Sequence, residues 1–152
     1  MKKGKTLDTQ ISIRIILIAP PSGVDFGIQE GKGYDYKTIQ VQRSKGADLQ
    51  FDFSVTVKER RDDGLPNFVG TLVQGPPAGR FVYIDIGKSA GQTKSEWERR
   101  IKIPLLEITW DLIDKLANDP KRRIEASIPG TGKDGGPSCA TVQLIDGWKV
   151  SK

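Results

Sequence analysis

The chain of 152 residues has no histidine and a single cysteine, Cys139. Histidine is the one side chain whose ordinary pKa puts its charge change near neutrality, so a Ser-His-Asp or Cys-His nucleophile cannot be assembled within this chain. A tetrahedral zinc site of Cys and His is excluded as well, because one thiolate cannot supply the set. One cysteine also rules out a disulfide framework within the chain and favours a reducing compartment. Cys139 stands in the apolar-leaning run Cys139-Ala-Thr-Val142 and reads as a buried, inert thiol. Long apolar runs are missing too: nothing approaches the roughly 18 residues of a membrane-spanning helix. Remaining chemistry would rest on carboxylates, Lys, Tyr, Ser or Thr, or on a hard cation among oxygens, and no spacing resembles a calcium loop. No cofactor and no metal is expected.

Excess charge is scarcer than it first looks. The formal net charge is +5 and the pI about 9.4. Lys2, Lys3, Lys5, Lys149 and Lys152 account for the whole excess. The body of the domain is therefore balanced, and the surplus falls at the two ends of the chain, where 1–9 and 150–152 are expected to fray. Two basic clusters remain, Arg99-Arg-Ile-Lys102 and Lys121-Arg-Arg123. Neither is interleaved along the chain with the aromatic ladder of single-strand binders, so a nucleic-acid partner is disfavoured.

Met1 to Lys5 followed by Ile11 to Ala19 imitates a secretory signal, but Arg14 interrupts the apolar stretch and Pro20 follows Ala19. Ile11, Ile13, Ile15 and Leu17 alternate instead as a strand. The segment reads as the first strand of a cytoplasmic protein.

What is present in quantity is strand signal. Leu49 to Val57 has apolar odd positions and polar even ones, the pattern of a half-buried strand. Further strands are expected at 37–43, 67–74, 80–86, 99–103, 122–128 and 138–145, with a short one at 148–150. Turn words separate them, and 17 Gly and 9 Pro supply the punctuation. One helix is expected, with Thr109 as cap, an apolar stripe of Leu112, Ile113, Leu116 and Ala117, and a stop at Asp119-Pro120. The expectation is one domain over 1–152: mainly β, an antiparallel sandwich or barrel of about eight strands with one short helix, with α+β as the alternative.

Candidate binding residues fall in three places. Gly130-Thr-Gly-Lys-Asp-Gly135 has the form G-x-G-x-x-G, but a strand-like run follows it where a dinucleotide fold needs a helix. A glycine-rich loop remains, able either to turn backbone amides toward an anion, with Thr131 and Lys133 beside it, or merely to permit positive φ. On Arg80-Phe-Val-Tyr-Ile-Asp-Ile86, if Val82, Ile84 and Ile86 face the core, then Phe81, Tyr83 and Asp85 share the other face. Two rings beside a carboxylate form a platform for a sugar or a cation, or else a face covered by another layer. Lys32 and Arg80 complete the candidates, at the turns Gly31-Lys-Gly33 and Pro76-Pro-Ala-Gly79. Asp25 and Asp134 are carboxylates beside such turns. Pro20-Pro-x-Gly23 and Pro76-Pro-x-Gly79 each lead to an Ile, at 28 and 84, and then to a Gly-Lys pair, at the same offset. Related corners of a pseudo-symmetric sandwich would produce that echo, and so would chance.

Three stretches together resemble a family of small bacterial proteins known only as a domain of unknown function: Pro20-Pro-Ser-Gly-Val-Asp-Phe-Gly-Ile-Gln29 with Gly31-Lys-Gly33, Val73-Gln-Gly-Pro-Pro-Ala-Gly-Arg-Phe-Val-Tyr-Ile-Asp-Ile-Gly87, and Ile128-Pro-Gly-Thr-Gly-Lys-Asp-Gly-Gly-Pro-Ser-Cys-Ala-Thr-Val142. The resemblance implies a bacterial, stand-alone, cytoplasmic domain and brings no activity and no catalytic residues.

The function expected from these residues is binding. Glycine-rich loops with Lys32, Arg80 and Lys133 would hold a small anionic molecule or an acidic protein partner. The alternatives are a histidine-independent carboxylate enzyme acting on a sugar-like substrate, with Asp85 or Asp25 as acid or base and Tyr83 as platform, and a structural interaction domain with no pocket.

Overall fold

A computed structural model of the chain describes residues 9–20, 22–32, 35–58, 66–74, 81–87, 99–116, 121–128, 141–142 and 148–150. The elements are β1 (Thr9–Leu17), β2 (Asp25–Lys32), β3 (Asp35–Arg43), β4 (Leu49–Lys58), β5 (Asn67–Val69), β6 (Phe81–Gly87), β7 (Arg99–Pro104), α1 (Trp110–Leu116), β8 (Ile124–Ile128), β9 (Thr141–Val142) and β10 (Lys149–Val150).

Alternation along β1 does what a period of two demands. Ile11, Ile13, Ile15 and Leu17 are buried, and they lie beside Phe51, Phe53, Val55 and Val57 of β4 in an antiparallel register running from Thr9↔Val57 to Leu17↔Leu49. β8 pairs parallel to β1 on its other side and adds Ile124, Ala126 and Ile128. The first sheet runs β10-β8-β1-β4-β5 and the second β3-β2-β6-β7-β9. From the second sheet, Phe26, Ile28, Val82, Ile84, Ile86, Ile101 and Ile103 meet the first in one apolar core. Neither sheet closes on itself, so the sandwich is realised and the barrel is not. The β1–β8 and β7–β9 pairs are parallel, so both sheets are mixed.

α1 forms where expected. Thr109 Oγ1 accepts from the Leu112 amide at 3.3 Å, and Ile113 and Leu116 are buried where the helix rests on β8 and β10. No helix among the described residues is long and apolar enough to cross a membrane.

Two strand expectations need correction. β2 was not anticipated at all, although it is central to the second sheet. The strand expected over 67–74 stops at Val69: Gly70 takes φ +152°, the Val73 amide turns back to the Gly70 carbonyl at 3.1 Å, and only Gln74 resumes pairing, with Phe81. β5 thus covers β4 only along Thr56–Lys58. Farther along that edge, the Gln40 and Gln42 side chains donate to the carbonyls of Asp52 and Gln50 at 3.0 and 2.9 Å, occupying acceptors that an open edge would offer to another chain.

Candidate functional site

With Val82, Ile84 and Ile86 committed to the core, Phe81, Tyr83 and Asp85 turn to the outer face of the second sheet, as their alternation requires. The Asp85 side chain is only 4% exposed. Burying a carboxylate is costly unless donors surround it, and three do. Arg100 Nε donates to Oδ1 at 3.1 Å, the Thr38 hydroxyl to Oδ2 at 2.9 Å, and Gln29 Nε2 to Oδ2 at 3.4 Å. Arg100 is the register partner of Asp85 on β7, which accounts for the first contact.

The second contact is less expected, because β2 lies between Thr38 on β3 and Asp85 on β6. Gly27 is the β2 residue opposite Asp85. A Cβ there would overlap Thr38 Cγ2 and meet Val41 Cγ2 at 3.1 Å and the Ile39 carbonyl at 3.3 Å. β3 bulges at this point: Phe26 pairs with Gln42 and Ile28 with Ile39, leaving Gln40 and Val41 opposite Gly27. Gln40 holds φ +53°, in the left-handed region that non-glycine residues rarely occupy. Bulge and glycine together let Thr38 lean across a strand.

The rest of the face is a zigzag of rings and cations. Arg100 Cζ lies 4.9 Å from the Tyr83 ring centre, and Lys102 Nζ lies 4.5 Å from that of Phe81. The two rings are 6.4 Å apart and inclined by 16°. The platform anticipated for a cation is thus occupied by the protein's own cations. Among the described residues, no acceptor sits on the terminal nitrogens of Arg100, and none sits on the Lys102 ammonium. Among the described side chains grouped around Asp85, two cations and one carboxylate leave a single positive charge in excess. Gln29 Oε1 is buried with no donor among the described residues.

The first sheet's outer face contrasts with this. Arg14 grips Asp52 with Nε at 2.8 Å and Nη2 at 3.2 Å, and Arg123 Nη1 adds a third contact at 3.1 Å. The hydrogen bond from Arg14 holds the Asp52 carboxyl below its ordinary value and lifts the Arg14 guanidinium above its own. There the arginine fork is spent on the protein itself.

Of the residues singled out in the sequence, Tyr83 and Asp85 come together. Lys32 closes β2, with its backbone paired to Asp35, and its side chain lies outside the described residues. Arg80, Thr131 and Lys133, with the whole Gly130–Pro137 loop, Asp134 and Cys139, also lie outside them. Asp25 is clamped by Arg43 through Nε at 2.8 Å and Nη2 at 3.1 Å. Three described glycines in or beside turns keep their amides at home: Gly23 donates to the Ser44 carbonyl, Gly31 of β2 to the Thr71 carbonyl and Gly46 to Ser44 Oγ. No cluster of metal-binding side chains occurs among the described residues. Sequence reasoning missed Gly27, Gln29, Thr38, Arg100 and Lys102. The alternation of Arg100 and Lys102 was the available signal, since it puts both on one face of a strand.

The sequence profile of a family of unknown function, DUF5990, matches residues 11–151. No curated protein and no solved structure matches the chain.

Proposed function

The chain belongs to the DUF5990 family of unknown function, and on that premise we propose that it is a small binding domain, not an enzyme, that holds an anionic group on the outer face of its second sheet. The observation that carries this reading is Arg100. Its Nε is committed to Asp85 Oδ1 at 3.1 Å and its Cζ lies over the Tyr83 ring at 4.9 Å, while its two terminal nitrogens have no acceptor among the described residues. A guanidinium fixed in this way presents a planar pair of donors to a carboxylate or phosphoryl group with little orientation left to lose. The anchoring thus moves from backbone amides of glycine loops, of which those of Gly23 and Gly46 are bonded internally, to side chains on a strand.

The carboxylate-enzyme reading has less support. Both Asp85 oxygens accept from Arg100, Thr38 and Gln29 and both Asp25 oxygens accept from Arg43, so each carboxylate is already engaged in holding the protein's own side chains. A bacterial cytoplasm is the proposed location, on the lone cysteine and on the sequence resemblance.

Thermal unfolding in the presence of acetate, phosphate or sulfate tests the proposal. Ligand at about 100 times its Kd stabilises the folded state by about 2.7 kcal/mol, which raises Tm measurably. At least one of these anions should raise Tm for the native protein and not for Arg100→Gln. A Tm that responds equally in both proteins, or in neither, removes the proposal and favours a domain that serves only as a structural partner.

A further inference from the structure

Resting on that reading, we infer that the bound molecule is a small dicarboxylate, its first carboxylate on Arg100 and its second on Lys102. Arg100 and Lys102 stand two residues apart on β7, so their side chains leave the sheet on the same side, roughly 7 Å apart along the strand. Each is seated on its own ring: the Arg100 guanidinium over Tyr83 and the Lys102 ammonium over Phe81, with ring centres 6.4 Å apart. Cation and ring attract one another, and each seat resists displacement of its cation. Two carboxylates joined by a short chain satisfy both cations where they already stand.

The two seats also differ in kind. Arg100 offers a planar fork and Lys102 a point charge, so one carboxylate is oriented by paired hydrogen bonds and the other is held by charge. Charge balance narrows the class further. Asp85 already offsets one of the two cations, leaving one positive charge in excess. A dicarboxylate brings one negative charge more than this excess, and a diphosphate brings more still. The aliphatic chain between the carboxylates would lie along the half-buried edge of Phe81.

Calorimetric titration with butyrate, succinate, glutarate and adipate tests the inference. In the native protein the best dicarboxylate should bind at least tenfold tighter than butyrate, a difference of about 1.4 kcal/mol. Lys102→Met should reduce that dicarboxylate to the butyrate level, Lys102→Arg should retain its advantage, and Arg100→Gln should abolish binding of both. Butyrate binding that needs Arg100, with no dicarboxylate binding tighter, overturns the two-carboxylate inference and leaves the anion reading intact. An advantage that survives Lys102→Met overturns it too. Absence of any Arg100-dependent binding ends both.

Discussion

Thr38 and Asp85 are hydrogen-bonded at 2.9 Å although a whole strand lies between them, and the residue under that bond is Gly27. Neighbouring strands are spaced by about 4.8 Å, so the two backbones stand roughly 10 Å apart. Thr38 covers that distance by lying over the place where Gly27 has no side chain. The consequence reaches Arg100, because the carboxylate that Thr38 steadies is the one that fixes the guanidinium.

Gly27→Ala should therefore be costly out of proportion to one methyl group. The added Cβ meets Thr38 Cγ2, and turning Thr38 aside breaks its bond to Asp85. Overpacking of this kind costs about 1–3 kcal/mol. Thr38→Ser keeps the hydroxyl and removes the methyl, so it should partly rescue Gly27→Ala, with about 1 kcal/mol of non-additivity in a double-mutant cycle. Urea unfolding of the four proteins measures this.

Asp85→Ala removes the partner of Arg100 and leaves the Thr38 hydroxyl and the Gln29 amide without their acceptor. Breaking a buried pair costs about 3–5 kcal/mol, and the partial exposure of Arg100 puts this case at the low end, about 3 kcal/mol. Denaturant midpoints at neutral pH give the value, and the freed guanidinium should also lose affinity for anions.

Gln29 behaves differently. Its Nε2 makes one long contact, 3.4 Å, and its Oε1 already goes without a partner among the described residues. Gln29→Leu surrenders a weak bond and relieves an unsatisfied acceptor, so its stability should stay within about 1 kcal/mol of the native protein. A loss of 3 kcal/mol or more (roughly the cost of losing a buried charge partner) would show that the amide is satisfied by something else.

On the opposite sheet, the hydrogen bond from Arg14 lowers the Asp52 carboxyl below its ordinary 3.8. A carboxyl lowered in the folded state adds stability that is complete above its unfolded value and is lost as pH falls through the folded one. Asp52→Asn should thus destabilise at pH 7, by no more than about 1 kcal/mol because the pair is solvent-exposed. The gap between Asp52→Asn and the native protein should close as pH is lowered below 3.8, and high salt should narrow it at pH 7. Unfolding midpoints across pH measure both effects.

Strands with one wet and one dry face were legible in the sequence. β1 and β4 show it, their inward Ile, Leu, Phe and Val alternating with residues that face out, whereas in β6 the outward Tyr83 and Asp85 are buried as well. β2 was not legible because its outward positions are Asp25, Gly27, Gln29 and Gly31, which read as turn words. Each has a tertiary reason: Asp25 takes Arg43, Gly27 admits Thr38, Gln29 reaches Asp85, and the Gly31 amide bonds Thr71. The repeated Pro-Pro-x-Gly stretches lead into β2 and β6, which are adjacent antiparallel strands with Ile28 directly opposite Ile84. Asp85 and Tyr83 could be placed on one face from alternation alone. Alternation puts Arg100 and Lys102 on one strand face as well, but their place beside Asp85 and the two rings depends on the register of β6 against β7, which no local pattern encodes.

The most direct test is an NMR titration that follows the Arg100 side-chain Nε–Hε resonance, together with the backbone amides, as glutarate is added. A saturable shift of that resonance, accompanied by amides of Phe81–Gly87 and Arg99–Pro104, is the result expected of a guanidinium held by Asp85 and open at its far end. An unmoved Arg100 with shifts confined to residues 130–137 would contradict the account, returning the anion to the glycine-rich loop.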